Sequence, residues 1–451
     1  PAGCGAELSA AQTASFKSIQ YKYNYTNLAS SSSVCMYNSD KGYEALANYS
    51  EPATPSACIA GSSCGYSESY GAQILGVPAV STVSSSATNS YSWRVTGSLS
   101  NNITCWGTGS SGQMGNGQGN DALPSSVVMP DGITSFTQIS STGNSLSCAV
   151  ANTGMVYCWG TGANGQIGNG ASTSVNTPTA VTMPNGVESF TLVSSNNNFS
   201  CAIANNGKIY CWGMGASSRL GNGSNIDVNV PTSVTMPAGV ESFSSVSTNS
   251  TFSCAIADNG KIYCWGSGKN GQLGSGPTTV RATPTSVTMP AGVESFSTIS
   301  TNSNFNCAIA DNGKVYCWGF GTGGQIGNGS LTNQNIPTSV TMPAGVESFS
   351  SVSTNTNFSC AIANTGKVYC WGVGTNGQIG NGANAIAVKV PTAVTMPAEV
   401  TSFSSVSTNA NFSCAITNTG KVYCWGTGSS GQIGNGASAN VNVPTAITLT
   451  R

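Results

Sequence analysis

Histidine is absent from this chain, and charge is scarce. Of 451 residues only 6% are charged, 14 basic against 15 acidic, for a net charge of -1. Ordinary globular proteins carry roughly 25% charged residues. The missing histidine excludes Ser-His-Asp and Cys-His nucleophile systems and most zinc sites. The missing positive excess removes the electrostatic footprint that DNA, RNA or anionic lipid requires. No apolar run approaches the roughly 18 residues of a membrane helix, so no membrane span is expected. Cys-x-x-Cys metal spacing is also absent. Glycosidase chemistry would need two acids facing each other in a cleft, whereas the acids here recur at fixed phases along the chain. The expectation is a protein with no cofactor, no metal and no catalytic site.

What the chain has in quantity is 56 glycines, 17 cysteines and a repeat. The triplet Cys-Trp-Gly begins at residues 105, 158, 211, 264, 317, 370 and 424, a period of 53 with one step of 54. A fixed period of this size marks stacked units, none of which can bury its apolar face alone. Within one period, Ser242–Ser247, Phe252–Ala257, Lys261–Trp265 and Thr285–Met289 read as four short strands, a to d, punctuated by Gly, Asn and Pro. That is the pattern of a propeller blade. Pro284 at the mouth of strand d suits an outer edge, where a missing N–H is harmless. The fold class expected is all-β: a seven-bladed β-propeller over residues 80–451, preceded by a non-repeat extension, residues 1–79, that could serve as an assembly arm.

The b–c turn Asp258-Asn259-Gly260 fits a three-residue hairpin loop closed by a left-handed Gly. That length pairs Cys254 with Cys264 and Ile256 with Ile262 on one face, and leaves Ala255, Ala257, Tyr263 and Trp265 on the other. Directly opposed strand residues have Cβ atoms about 4.5–5.5 Å apart, which modest twist can bring to disulfide range. Six bridges within blades are expected: Cys148–Cys158, Cys201–Cys211, Cys254–Cys264, Cys307–Cys317, Cys360–Cys370 and Cys414–Cys424. The alternative is reduced thiols packed as small hydrophobes. In the first copy Val95 stands where the partner of Cys105 should be. Cys105 is then left over with Cys4, Cys35, Cys58 and Cys64, and an odd number in an oxidising compartment leaves one thiol free or joined to another molecule.

The repeat resembles the regulator of chromosome condensation (RCC1) family. The residues that carry the likeness are the Cys-Ala-Ile strand, the Val-Tyr-Cys-Trp-Gly strand, Gly-Gln-Ile-Gly-Asn-Gly, and Pro-Thr-x-Val before the next Phe-x-x-Val. The resemblance implies a seven-bladed propeller. Members of the family include a chromatin-bound nucleotide-exchange factor, regulatory modules, and secreted bacterial proteins such as a β-lactamase inhibitor. Family repeats often carry a His two residues before the Cys-Ala-Leu phrase; Phe199, Phe252, Phe305, Phe358, Phe412 and Leu146 stand there instead. No basic tail and no residue of the exchange-factor site can be placed on this chain.

Two charged rings recur. Lys208, Lys261, Lys314, Lys367 and Lys421 follow the b–c turns, and Glu188, Glu241, Glu294 and Glu347 precede strand a. In an up-and-down blade both fall on one face, where exposed ion pairs worth about 0–1 kcal/mol each are expected. Gln113, Gln166, Gln272, Gln325, Gln378 and Gln432 lie in the glycine loops of the opposite face and are expected to bond loop backbone, with Arg219 replacing the glutamine of the third blade. No Lys-Ser/Thr follows these loops, so they do not read as phosphate sites. Asn-x-Ser/Thr sequons at Asn24, Asn48, Asn102, Asn198, Asn222, Asn249, Asn328, Asn357 and Asn411 permit glycosylation.

The cysteine count points away from a reducing cytosol, and a first residue Pro1 rather than Met fits removal of a secretory signal or a trimmed chain. The function these features suggest is an extracellular structural or adhesive protein, a subunit of a surface assembly or filament that associates with itself. The alternative is a secreted monomeric module or inhibitor that grips one protein on a propeller face.

Overall fold

The computed structural model describes residues 33–38, 42–47, 80–85, 93–97, 103–107, 111–118, 121–140, 145–409, 411–429, 433, 435 and 437–447. The chain divides into two units, Pro1–Ala79 and Val80–Arg451. In the first, Ser33–Asn38 pairs antiparallel with Gly42–Ala47 as a two-stranded hairpin. The second holds seven four-stranded antiparallel sheets spanning 80–126, 136–180, 190–233, 243–286, 296–339, 349–393 and 403–446. Each sheet is a meander in the order a, b, c, d. The a strand of the last blade, Phe403–Thr408, lies against the a strand of the first, Val80–Ser85, so the ring closes.

Blade four shows how sequence becomes sheet. Its strands are Phe243–Thr248, Phe252–Ala257, Ile262–Gly266 and Arg281–Ser286. The b–c register pairs Cys254 with Cys264 and Ile256 with Ile262. Every residue of strands b and c is buried, because these strands are covered on both faces by neighbouring blades. The Cys/Ile face of blade three, Phe199, Cys201, Ile203, Ile209 and Cys211, packs on Ala255, Ala257, Tyr263 and Trp265 of blade four. The same contact recurs between blades four and five and between five and six. The core is therefore a series of blade–blade interfaces, which explains why one repeat cannot fold alone.

Strand d departs from the expected span. It runs over Arg281–Ser286, four residues earlier than the Thr285–Met289 reading. Gly266 pairs with Arg281 and Cys264 with Thr285 around an irregularity that takes up Pro284 without a ladder bond. Val287 is apolar because it is buried between blades. The Val287 N–H still donates to Ile262 of strand c, and the backbone turns away only at Thr288, whose N–H donates to Gly274 of the loop.

Blade one differs in register. Cys105 faces Arg94, and Val95 faces Thr104. Six residues separate Thr96 from its partner Ile103, against five between Ile256 and Ile262. The longer turn moves every b–c pair by one position, so Arg94, not Val95, takes the place opposite Cys105.

Candidate protein-interaction faces

The twelve repeat cysteines form six bridges, 148–158, 201–211, 254–264, 307–317, 360–370 and 414–424, each joining directly paired strand residues whose Cα atoms are 4.1 Å apart. All twelve are fully buried. Cys4, Cys58 and Cys64 lie outside the described residues. For Cys35 and Cys105 only the strand backbone is described.

The glycine loops turn out to be the joints between blades. Trp212 Nε1 donates to the Gln166 carbonyl oxygen at 3.0 Å, one blade back. Trp159, Trp265, Trp318, Trp371 and Trp425 repeat this bond onto Gln113, Arg219, Gln272, Gln325 and Gln378 at 2.8–3.0 Å. The Gln166 side chain works on both sides of the same joint. Its Oε1 accepts from the Asn164 N–H at 2.8 Å and its Nε2 donates to the Asn197 carbonyl at 3.0 Å. In the third blade Arg219 does this work with a guanidinium: Nε donates to Ala216 O and Nη1 to Ser250 O, both at 2.6 Å. Burial lowers the Arg219 pKa, and Asp227 acts against that shift. Gln432 lies outside the described residues. The indole joint was not anticipated from sequence, although a Trp recurring 46 or 47 residues after each Gln-x-Gly or Arg-x-Gly was its signal.

Hydroxyls join the inner strands in a second layer. Ser194 and Thr248, Ser247 and Thr301, Ser300 and Thr354, and Ser353 and Thr408 lie 2.8–3.0 Å apart across successive a strands.

The b–c turns and the d–a connections share one end of the propeller. The recurring lysines and glutamates are all exposed there. What ties the two segments together is not a Lys–Glu pair. Asp258 Oδ2 accepts from the Glu241 and Ser242 N–H groups at 3.0 and 2.9 Å, and Asp311 Oδ2 does the same for Glu294 and Ser295. Asn152 takes this position in blade two. Burial alone would raise the Asp258 pKa, but the backbone donors outweigh it and hold the carboxyl below its usual range; Asp311 is lowered first by the Glu294 N–H. In blade seven Glu399 stands where other blades have glycine and accepts from the Tyr423 hydroxyl at 2.6 Å. Burial and this bond push Tyr423 up to about 12.

Among the described residues, this b–c end carries Asp131, Glu188, Glu241, Asp258, Glu294, Asp311, Glu347 and Glu399 against the five lysines, a net of -3. The opposite, c–d end carries Arg219, Lys269, Arg281 and Lys389 against Asp121 and Asp227, a net of +2. No group of three His, Cys, Asp or Glu residues is placed to hold a metal ion among the described residues, and no described helix is long and apolar enough to cross a membrane.

The sequons fall in different settings. Asn24, Asn48 and Asn102 lie outside the described residues. Asn411 is exposed, and Asn198, Asn222, Asn328 and Asn357 are half-buried. Asn249 is 6% exposed, and its Oδ1 accepts from the Thr251 and Phe252 N–H groups. It caps the a–b turn from a buried position.

Fold and joints together define a disulfide-clamped repeat propeller. The chain belongs to the Regulator of chromosome condensation (RCC1) repeat family, which matches residues 153–203, 206–256, 259–309, 312–362, 365–416 and 419–451. The Ultraviolet-B receptor UVR8 of Arabidopsis thaliana is 31% identical over 355 residues, 77% of this chain and 78% of that protein. The E3 ubiquitin-protein ligase HERC2 of Mus musculus is 27% identical over 78% of this chain, which spans only 7% of that protein. The fold is shared with human WBSCR16 (TM-score 0.67, 19% identity, 77% of this chain and 94% of that one). It is shared equally with yeast RCC1 (Prp20) bound to Kap60 (TM-score 0.65, 20% identity, 80% and 85%).

Proposed function

We propose that this chain is an extracellular structural or adhesive protein, a subunit of a surface assembly or filament held by protein–protein contacts. The observation that carries the reading is the bridge in every blade from two to seven. Six buried disulfides at one repeat position suit an oxidising compartment and a scaffold that must outlast it. Among the described residues no blade carries a constellation of acid, base and nucleophile that the others lack, which supports a role of contact. Sparse charge weakens repulsion between copies. The strand-d prolines at the outer edge of the blades make edge-to-edge sheet extension an unfavourable route, which leaves the two ends and the rim for contact.

A secreted binder of one protein partner is the second reading. It is favoured only by the departure in blade three, where Arg219 interrupts the loop consensus. Fractionation of the source cells with electron microscopy of the native, unreduced material tests the choice. Oligomers or filaments in the external or surface fraction support the assembly. Dispersed monomers there favour the binder, and an intracellular location overturns both.

A further inference from the structure

We propose that the c–d end of blades three to six is a docking surface, and that its occupant is the acidic b–c end of a second copy of this chain. The inference rests on the assembly reading above and assigns the surfaces that would make the contact.

The repeat is broken here in one direction only. Just ahead of strand d or at its start, blades three to six expose Ile226 (69%), Val280 (46%), Leu331 (40%) and Ile386 (82%). Blade two places Thr173 and Ser174 in this loop, and blade seven Ser438 and Ala439. Four consecutive blades thus present aliphatic side chains where the flanking blades present small ones. All lie at or just before the start of strand d: Val280 precedes Arg281, which pairs with Gly266, Ile226 and Leu331 lie two and three residues before Val228 and Gln334, which pair with Gly213 and Gly319, and Ile386 follows Ala385, which pairs with Gly374. That places them on the same end as the exposed Lys269 and Lys389. Single exposed aliphatics need no explanation; a series of them, rimmed by charge, does.

The same molecule offers the complement at its other end, where eight carboxylates face five lysines. A contact between unlike ends is heterologous, and if its rotation does not close it propagates as a filament. The apolar residues would supply the desolvated contact and the charges its register. The carboxylates and lysines are exposed, so salt would screen their attraction over about 8 Å at physiological strength.

The test uses the full chain and four double variants, each checked for native circular dichroism. Lys269→Glu/Lys389→Glu reverses the basic end, and Glu241→Lys/Glu294→Lys reverses the acidic end. Each alone is expected to raise the concentration needed for assembly at least tenfold in sedimentation velocity. An equimolar mixture is expected to recover the wild-type value within threefold, because each variant end then meets an opposite one. Lys208→Glu/Lys421→Glu has the same net charge as the first variant but reverses lysines of the acidic end. It is expected to assemble as readily as the wild type. Ile226→Ser/Ile386→Ser is expected to weaken assembly without recovery on mixing. If the wild type assembles and the reversed variants behave like it, or the control variant fails equally, the surface assignment is overturned and the assembly reading stands. If the wild type never assembles, both fall.

Discussion

Trp265 Nε1 donates to the backbone carbonyl of Arg219, 2.9 Å away and one blade back. Ser253 Oγ donates to the same oxygen at 3.3 Å. A carbonyl bonded twice inside a dry interface joins adjacent blades more firmly than apolar packing alone. Replacing Trp265 with Phe keeps most of the packing and removes the N–H. Stability is expected to fall by about 1–3 kcal/mol, the range for breaking a buried hydrogen bond, read from the urea midpoint at constant slope.

Gly221 separates steric contact from backbone strain. Its φ is +70°, and an added Cβ would stand 2.6 Å from Trp265 Nε1. Gly239 has φ +74° with nothing within 4 Å of an added Cβ. Gly239→Ala should therefore lose only the left-handed penalty of about 1–2 kcal/mol. Gly221→Ala should lose clearly more and quench or shift the Trp265 emission. Equal losses would show that the indole joint yields without cost.

Arg219 can be tested against its own repeat. Arg219→Gln restores the residue the other blades use, and Nε2 of a glutamine at this position donates to the carbonyl 31 residues on in blade two. Stability should change by less than about 1 kcal/mol, or rise. Arg219→Ala leaves the Ala216 and Ser250 carbonyls without this donor and should lose about 1–3 kcal/mol. Thermal unfolding of the two variants side by side decides the matter.

The capped carboxylates set an acid limb. Asp258 and Asp311 have folded pKa values below the ordinary range. The unfolded chain therefore binds more protons as pH falls. Their stabilisation is full above the unfolded carboxyl value of about 4 and is lost as pH drops through the lower folded one. Asp258→Asn/Asp311→Asn keeps an oxygen acceptor, as Asn152 does in blade two, and should flatten this limb by lowering the neutral-pH stability toward its acid value. Tyr423 lies at the other extreme. Raised to about 12, it favours folding below about pH 10, and that contribution is lost as pH rises toward 12. Glu399→Gln should bring the phenolate absorbance transition of this residue to lower pH.

Much of this fold could be read from the chain because its punctuation repeats. Asp258-Asn259-Gly260 set the b–c loop length, and loop length set the Cys254–Cys264 register. The same reasoning failed at Cys105, where one extra residue in the turn moved the pairing onto Arg94. Strand d was read too late because its first residues, Arg281–Thr283, carry no apolar alternation, whereas Val287, buried between blades, does. The Trp265–Arg219 joint was out of reach for a different reason. It links residues 46 apart across an interface, and strand patterning describes faces, not the partners that cover them. The ring of exposed aliphatics ahead of strand d was present in the sequence, but exposure cannot be assigned to a loop before its blade is built.

Alkylation of free thiols in intact source material, followed by unreduced peptide mapping, addresses the disulfide-clamped extracellular scaffold most directly. All twelve blade cysteines should escape alkylation, with Cys254 linked to Cys264 and the other five pairs following the same ten-residue spacing. Alkylated blade cysteines in freshly opened cells would contradict the scaffold, and the oxidising compartment with it.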